Sequence, residues 1–201
     1  MIKTIRYYAN KVFLKLQTYA FLPLLWRGTR SGIIGLCCFF FLSSFTWRTY
    51  LSYDSPQEIV QANATLFYVR ASNSLYSYDT KDQSVRTFDK VNGLSDCNIT
   101  HIAYNKTAHR LVVAYENQNI DLVNDAGQVT NVSAYYNTST TDNKTINSLY
   151  AYNRYVFMAT AFGIVKLNAA EAEVSDTYKL GFSVDYCYVR DGQIYAASKT
   201  T

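Results

Sequence analysis

The 201-residue chain holds only two histidines, four cysteines and eight glycines. His101 and His109 belong to no Cys/His spacing that suits a structural metal, so no metal ligand is assigned. No glycine-rich phosphate loop and no nucleophile elbow occur, which removes the commonest nucleotide and hydrolase signatures. No sustained 3.6-residue apolar period is present, and helical repeats are thereby excluded. Acidic residues are missing altogether from positions 1–50, which carry seven Lys and Arg. Positions 51–201 carry twelve against fifteen Asp and Glu. The basic balance thus belongs to the leader and marks no nucleic-acid surface.

Within that leader, Ser31 to Phe45 is uncharged, and its apolar centre Ile33–Leu42 is short for a membrane span. It has the length of a secretory h-region. Ser43, Ser44 and Thr46 allow cleavage there, so residues 1–46 read as a signal peptide or N-terminal hydrophobic segment and residues 47–201 as the exported part. A retained anchor is the alternative. Val12 to Trp26 either makes an extra interfacial helix or precedes the true start. Cys37 and Cys38 leave with the leader. Cys97 and Cys187 stay, and two unpaired buried thiols are expected rather than a disulfide, because their positions belong to non-neighbouring repeats.

What is present in quantity is tyrosine, nineteen residues, and a pattern that returns. Leu66–Tyr78 is an apolar strand, a polar break and a second strand. The shape recurs at Leu111–Val123 and Val156–Leu167 and begins again at Ile194. Taking Leu66, Leu111, Val156 and Ile194 as equivalent gives a period near 40–45 residues, with Leu75, Ile120 and Ile164 as second anchors. Preceding strands are expected at Gln57–Ala62, Ile99–Tyr104, Ile146–Tyr152 and Val184–Val189. Following ones are expected at Val85–Phe88, Val129–Val132 and Val174–Tyr178. The anchor strands are apolar on both faces, so each sheet must be covered on both sides. Four-stranded sheets standing face to face around an axis satisfy this, and the period is that of propeller blades. The fold class expected is therefore all-β, an incomplete β-propeller of about three four-stranded blades (57–91, 98–135, 145–180) plus the start of a fourth from 183. Trp47–Tyr53 reads as a strand that latches a last blade. The stretch 47–201 alone is expected to form an open arc, as the front of a longer protein.

The remaining polar features read as surface and turn chemistry. Asp79/Asp82 and Asp89/Asp96 sit in connecting loops as turn formers. Asp125-Ala126-Gly127 lacks the Ser and Trp of a sialidase Asp-box and reads as a β-turn. His101 and His109 read as ordinary surface histidines. Asn63, Asn98, Asn105, Asn131, Asn137 and Asn143 head N-x-S/T triplets, open either to glycosylation in a eukaryotic exported protein or to turn chemistry. Tyr135-Tyr136 reads as strand packing, with contact to sugar or protein as the alternative. No catalytic or cofactor-binding residue is assigned.

Once the repeats are aligned, Gly93-Leu94-Ser95-Asp96 with Ile99, Ile102, the turn at Asn105 and Leu111 resembles the blades of two-component-regulator-type propellers. Asn153–Thr160 with Phe162-Gly163-Ile164 fits the same template, with the usual Trp replaced by Phe67, Val112, Phe157 and Tyr195. More narrowly, Trp47–Tyr53 and the stretch LYSYDTKDQSVRTFDKVNGLSD (Leu75–Asp96) resemble the PorZ-like surface propellers of the type IX secretion system, over residues 47–201. The resemblance implies two seven-bladed propellers and a C-terminal β-sandwich. It also implies a non-enzymatic scaffold role at the outer-membrane surface or periplasm, beside a sortase-like protease, in a complex that delivers lipopolysaccharide for cargo attachment. The lipopolysaccharide contact belongs to a C-terminal domain absent from this chain, so no binding residue carries over and no cofactor is implied. The alternative is the sensor ectodomain of a two-component-type signalling protein.

The leader generates the first prediction. N-terminal sequencing of exported material is expected to begin near residue 47; a mature chain still carrying Ile33–Leu42 would show a retained anchor instead.

Overall fold

The computed structural model describes residues 53–199. The leader (residues 1–46) and the Trp47–Ser52 part of the expected latch lie outside the described residues. Four strands, β1 (Pro56–Gln61), β2 (Leu66–Ala71), β3 (Ser74–Asp79) and β4 (Val85–Phe88), form a first antiparallel sheet in chain order. A second sheet follows from β5 (Ile99–Asn105), β6 (Arg110–Tyr115), β7 (Ile120–Asn124) and β8 (Val129–Asn131). After the one-turn helix α1 (Ala134–Asn137), a third sheet contains β9 (Ile146–Tyr152), β10 (Tyr155–Thr160), β11 (Gly163–Asn168) and β12 (Glu173–Lys179). A two-stranded fourth sheet, β13 (Tyr186–Arg190) and β14 (Gln193–Ala197), completes the described chain. Three blades and the start of a fourth are what the period implied.

The two-sided strands explain the packing. From β6, Leu111, Val113 and Tyr115 pack toward the first sheet with Tyr68, Leu75 and Phe88. The intervening Val112 and Ala114 pack toward the third sheet with Val156, Met158, Val165 and Leu167. Phe157, Ala159 and Ile164 then meet Cys187 and Val189 of the fourth, with Val184 from the connection before it. Side chains alternate across a strand, so one apolar run feeds two cores. The first strands of successive sheets, β1, β5, β9 and β13, run closest to one another from sheet to sheet, with the second strands β2 and β10 also reaching a neighbouring first strand. On the outward face of the fourth sheet Tyr186, Tyr188 and Tyr195 stay 59%, 52% and 52% exposed. No described element covers that face.

Pairing register corrects the alignment of the first repeat. The first strands β1, β5 and β9 each carry an irregularity near the start, opposite Ala71/Arg70, Tyr115/Ala114 and Thr160/Ala159. Those landmarks place Phe67, not Leu66, level with Leu111 and Val156. The position of the missing Trp is accordingly held by Tyr68, Val112 and Phe157, each packed toward the following sheet. The slip arose at the turns. Ser72 and Asn73, at φ 46° and 66°, make a two-residue hairpin loop, whereas Tyr115 N–H reaches Asn119 O across one residue more. Two left-handed residues are the signature of a type I′ turn, repeated at Asp191 and Gly192 with φ 52° and 76°.

Two further expectations change. Tyr135 and Tyr136 lie in α1 rather than a strand; Tyr135 is buried with its hydroxyl donating to Lys144 O at 2.7 Å, and Tyr136 is 49% exposed. Cys97 and Cys187 are both free, but only Cys187 is buried, where burial pushes its thiol up to about 11; Cys97 is exposed.

Gly163 opens β11 at φ +151°, and a Cβ there would stand 2.1 Å from Tyr178 O. Gly192 has φ +76° and open space around it. Gly163→Ala should cost about 2–4 kcal/mol in denaturant unfolding, because backbone must move, and Gly192→Ala about 1 kcal/mol from φ alone. Equal costs for the two would refute the close approach of β11 and β12.

Candidate interaction sites

Two polar clusters stand out against the apolar sheets. The first sits where β1 meets β5. Glu58 Oε1 lies 2.8 Å from His101 Nδ1, and Oε2 accepts from Arg70 Nε at 3.2 Å and from the Ile102 amide at 2.9 Å. Arg70 also donates to Gln57. Against a carboxylate the His101 Nδ1 can only donate. Burial pushes the Glu58 carboxyl up, but the His101 and Ile102 hydrogen bonds and the His101 and Arg70 charges outweigh it, holding the group below its usual range. His101 is therefore not the ordinary surface histidine expected; its side chain is only 23% exposed and faces a carboxylate from the neighbouring sheet.

The pattern repeats in different chemistry. By register, Glu58, His101 and Ser148 occupy the same position on their strands. Ser148 Oγ donates to Asp185 O at 2.7 Å, and Asn147 Nδ2 donates to Val184 O at 2.7 Å, both across the third and fourth sheets. The first strand of each sheet is an edge, with backbone groups that need partners. A carboxylate takes an amide at one joint; an amide and a hydroxyl serve carbonyls at the other.

The second cluster surrounds Asp121, which is fully buried on β7. Its carboxylate accepts from Ser95 N and Oγ, both at 2.7 Å, from Tyr115 OH at 2.6 Å and from Asn131 Nδ2 at 2.8 Å. Burial and then the Asp121 bond raise the Tyr115 phenol. Next to it Asp96 accepts from Asn117 and Asn119 at 2.8 and 3.0 Å and sits 3.5 Å from Lys90; these bonds, Asn117 first, lower its carboxyl. Asp96 is thus more than a turn former. With Leu94 buried, Gly93–Asp96 is the strap that carries the chain from the outer strand of one sheet to the inner strand of the next.

The other sequence features fall into turns. Asp79, Asp82 and Asp89 accept from the backbone N–H groups of Lys81, Ser84 and Asn92. Asn63, Asn105 and Asn143 accept from the amides that follow them, Asn98 donates to Glu116, and Asn131 serves Asp121. Asp125 lies in the β7–β8 turn, accepts from Tyr104 OH at 2.7 Å and stands 3.4 Å from the exposed His109. Among the described residues no group of three or more His, Cys, Asp and Glu side chains is placed to hold a metal ion, and no helix is long and apolar enough to cross a membrane.

The Glu58 cluster makes stability depend on pH in a defined direction. A carboxyl held low in the folded state stabilises above its unfolded value, near 4.5, and loses that contribution as pH falls through the folded value. Glu58→Gln should cost about 1–3 kcal/mol at pH 7. The gap to the parent should close as pH falls below about 4; a gap independent of pH would sink the assignment.

With this geometry in hand, comparison with known proteins is informative. Residues 67–201 match the family model of the type IX secretion system PorZ N-terminal β-propeller domain. The chain is 30% identical to the solved structure of PorZ, described as an essential bacterial surface component of the type IX secretion system of Porphyromonas gingivalis, with TM-score 0.65. That match covers 77% of this chain and 22% of PorZ, so the chain spans about a fifth of that protein's length. The extracellular domain of a one-component system from B. thetaiotaomicron is 15% identical with TM-score 0.58, covering 75% of this chain and 20% of that one. That of a hybrid two-component system from the same organism is 17% identical with TM-score 0.54, covering 77% and 22%. At such identities these two share the fold alone. No curated protein matches the chain.

Proposed function

The chain belongs to the family of PorZ N-terminal β-propeller domains of the type IX secretion system, and from that membership we propose that it is a non-enzymatic scaffold of a type IX secretion and cargo-attachment complex at the cell surface. The observation that carries the reading is the family match over residues 67–201. The polar clusters support it from the other side. Glu58 and Asp121, the carboxylates that a catalytic reading would choose first, have their oxygens taken by donors that join neighbouring elements. On this reading residues 1–46 direct export, the partners are other complex proteins including a sortase-like protease, and lipopolysaccharide is handled by a C-terminal domain outside this chain. The sensor alternative rests on a shared fold, which does not carry function.

Deleting the gene in the producing bacterium, and restoring it in trans, tests the proposal. Type IX cargo should fail to attach to the surface in the deletion strain and return on complementation. Cargo that reaches the surface unchanged without the gene would overturn the reading.

A further inference from the structure

Asn92-Gly93 is the one Asn-Gly pair in the chain, and it lies at the entry to the strap that leaves the first sheet. Both residues are exposed. Among the described residues the Asn92 side chain makes no hydrogen bond and the Gly93 N–H has no acceptor; Asn92 is bonded through its backbone N–H alone. Gly93 stands at φ +111°, where an added Cβ would find its nearest neighbour, Val129 Cγ2, 3.7 Å away. A free side-chain amide, an unbonded N–H after it and no β-carbon to shield that nitrogen are what let asparagine, a thermolabile residue, close on the backbone.

The turn around this pair is tight. Asn92 N–H donates to Asp89 O at 3.1 Å and to Asp89 Oδ1 at 2.8 Å, and Leu94 N–H donates to the same Asp89 O at 3.0 Å. Leu94 is buried, and the next residue, Ser95, is held by Asp121. Asn137 offers a contrast. It is exposed too, but β-branched Thr138 follows it, and the Thr138 N–H donates to Tyr135 O at 3.3 Å.

We propose that Asn92-Gly93 is a site of spontaneous deamidation that loosens the strap. The Gly93 nitrogen gives up its proton to hydroxide and attacks Asn92 Cγ; the new C–N bond closes a succinimide ring, and ammonia leaves. Water then opens the ring. Cleavage between Cγ and the nitrogen leaves an aspartyl residue, and cleavage between the main-chain carbonyl carbon and the nitrogen leaves an isoaspartyl one. Water is consumed and ammonia released, with no oxidant or reductant involved. Either product sets a new carboxylate in the turn of Asp89. The isoaspartyl product also inserts an extra backbone atom between the position-92 and Leu94 amides, which then no longer both reach Asp89 O. The inference is independent of the secretion reading, because it follows from amide chemistry and turn geometry.

The test holds the full chain folded at mildly alkaline pH and compares it with the same chain unfolded in urea. Peptide mass spectrometry should find acid in place of amide at Asn92 before any other asparagine of the described residues, Asn137 included. The folded-state rate should lie within about tenfold of the unfolded one, since no local unfolding is needed to expose the pair. In the isoaspartyl fraction, hydrogen exchange of the Leu94 and Ser95 amides should be about tenfold faster than in fresh chain, with a lowered melting temperature. Asn92→Gln closes its larger ring more slowly, so it should start at the parent's melting temperature and keep it through the same incubation. Asn92→Asp adds the charge without lengthening the backbone and should leave the Leu94 amide protected. Asn92 reacting no faster than Asn137 in the folded chain, or more than about tenfold slower than in urea, would overturn the site. An isoaspartyl fraction with its Leu94 amide still protected, or an Asn92→Gln chain that loses as much stability on incubation as the parent, would overturn the loosening.

Discussion

Strands that are apolar on both faces cannot stand in water on either side, and the architecture follows from that constraint. Leu111 to Tyr115 is the clearest case: five consecutive buried residues, odd ones turned to the first sheet and even ones to the third. Burial of apolar area contributes about 25 cal/mol per Å². A strand that contributes to two cores therefore couples the sheets on both sides of it, and stability in such an array is close to a sum of neighbour terms. The tyrosines of the fourth sheet show the same rule unsatisfied, half exposed on the face that no described element covers.

Apolar packing of this kind has little directional preference, so something else must set where one sheet sits on the next. The polar joints supply it. Glu58 bonds to a single amide on the next strand, and Asn147 and Ser148 to single carbonyls, so a shift of one residue along the strand would break all three. Asp121 does the same for the strap between sheets, holding it by a backbone amide and a hydroxyl from the one residue Ser95. A buried carboxylate is tolerated only when its lone pairs are met, and here they are. The cores give the energy and the clasps give the register.

The fold was legible in the sequence because the dominant interaction is also the one composition reveals. Two-faced apolar runs at a constant period admit few arrangements, and the polar break between the paired strands of the first repeat marked where they end. The one-residue error at Leu66 shows the limit. Turn lengths differ between repeats, so spacing in sequence is not register in space, and slipping by one residue sends every side chain to the other face. His101 and Asp96 were misjudged for a related reason. Their partners, Glu58 and the pair Asn117 and Asn119, lie 43, 21 and 23 residues away, and nothing local in the chain announces such a meeting.

That distance between what is local and what is spatial bears on function as well. The motif that marks the family template, Gly93-Leu94-Ser95-Asp96, turns out to be a structural strap fastened by Asp121, Asn117 and Asn119. In a propeller whose most recognisable residues all serve the joints, the parts free to differ are the outer strands and the connections between them. Those are also the parts where the three sheets are least alike: outer strands of 4, 3 and 7 residues, and a connection that contains α1 only between the second and third. Residues that every sheet needs report the fold, and the departures at the rim are where a scaffold of this kind can acquire partners of its own.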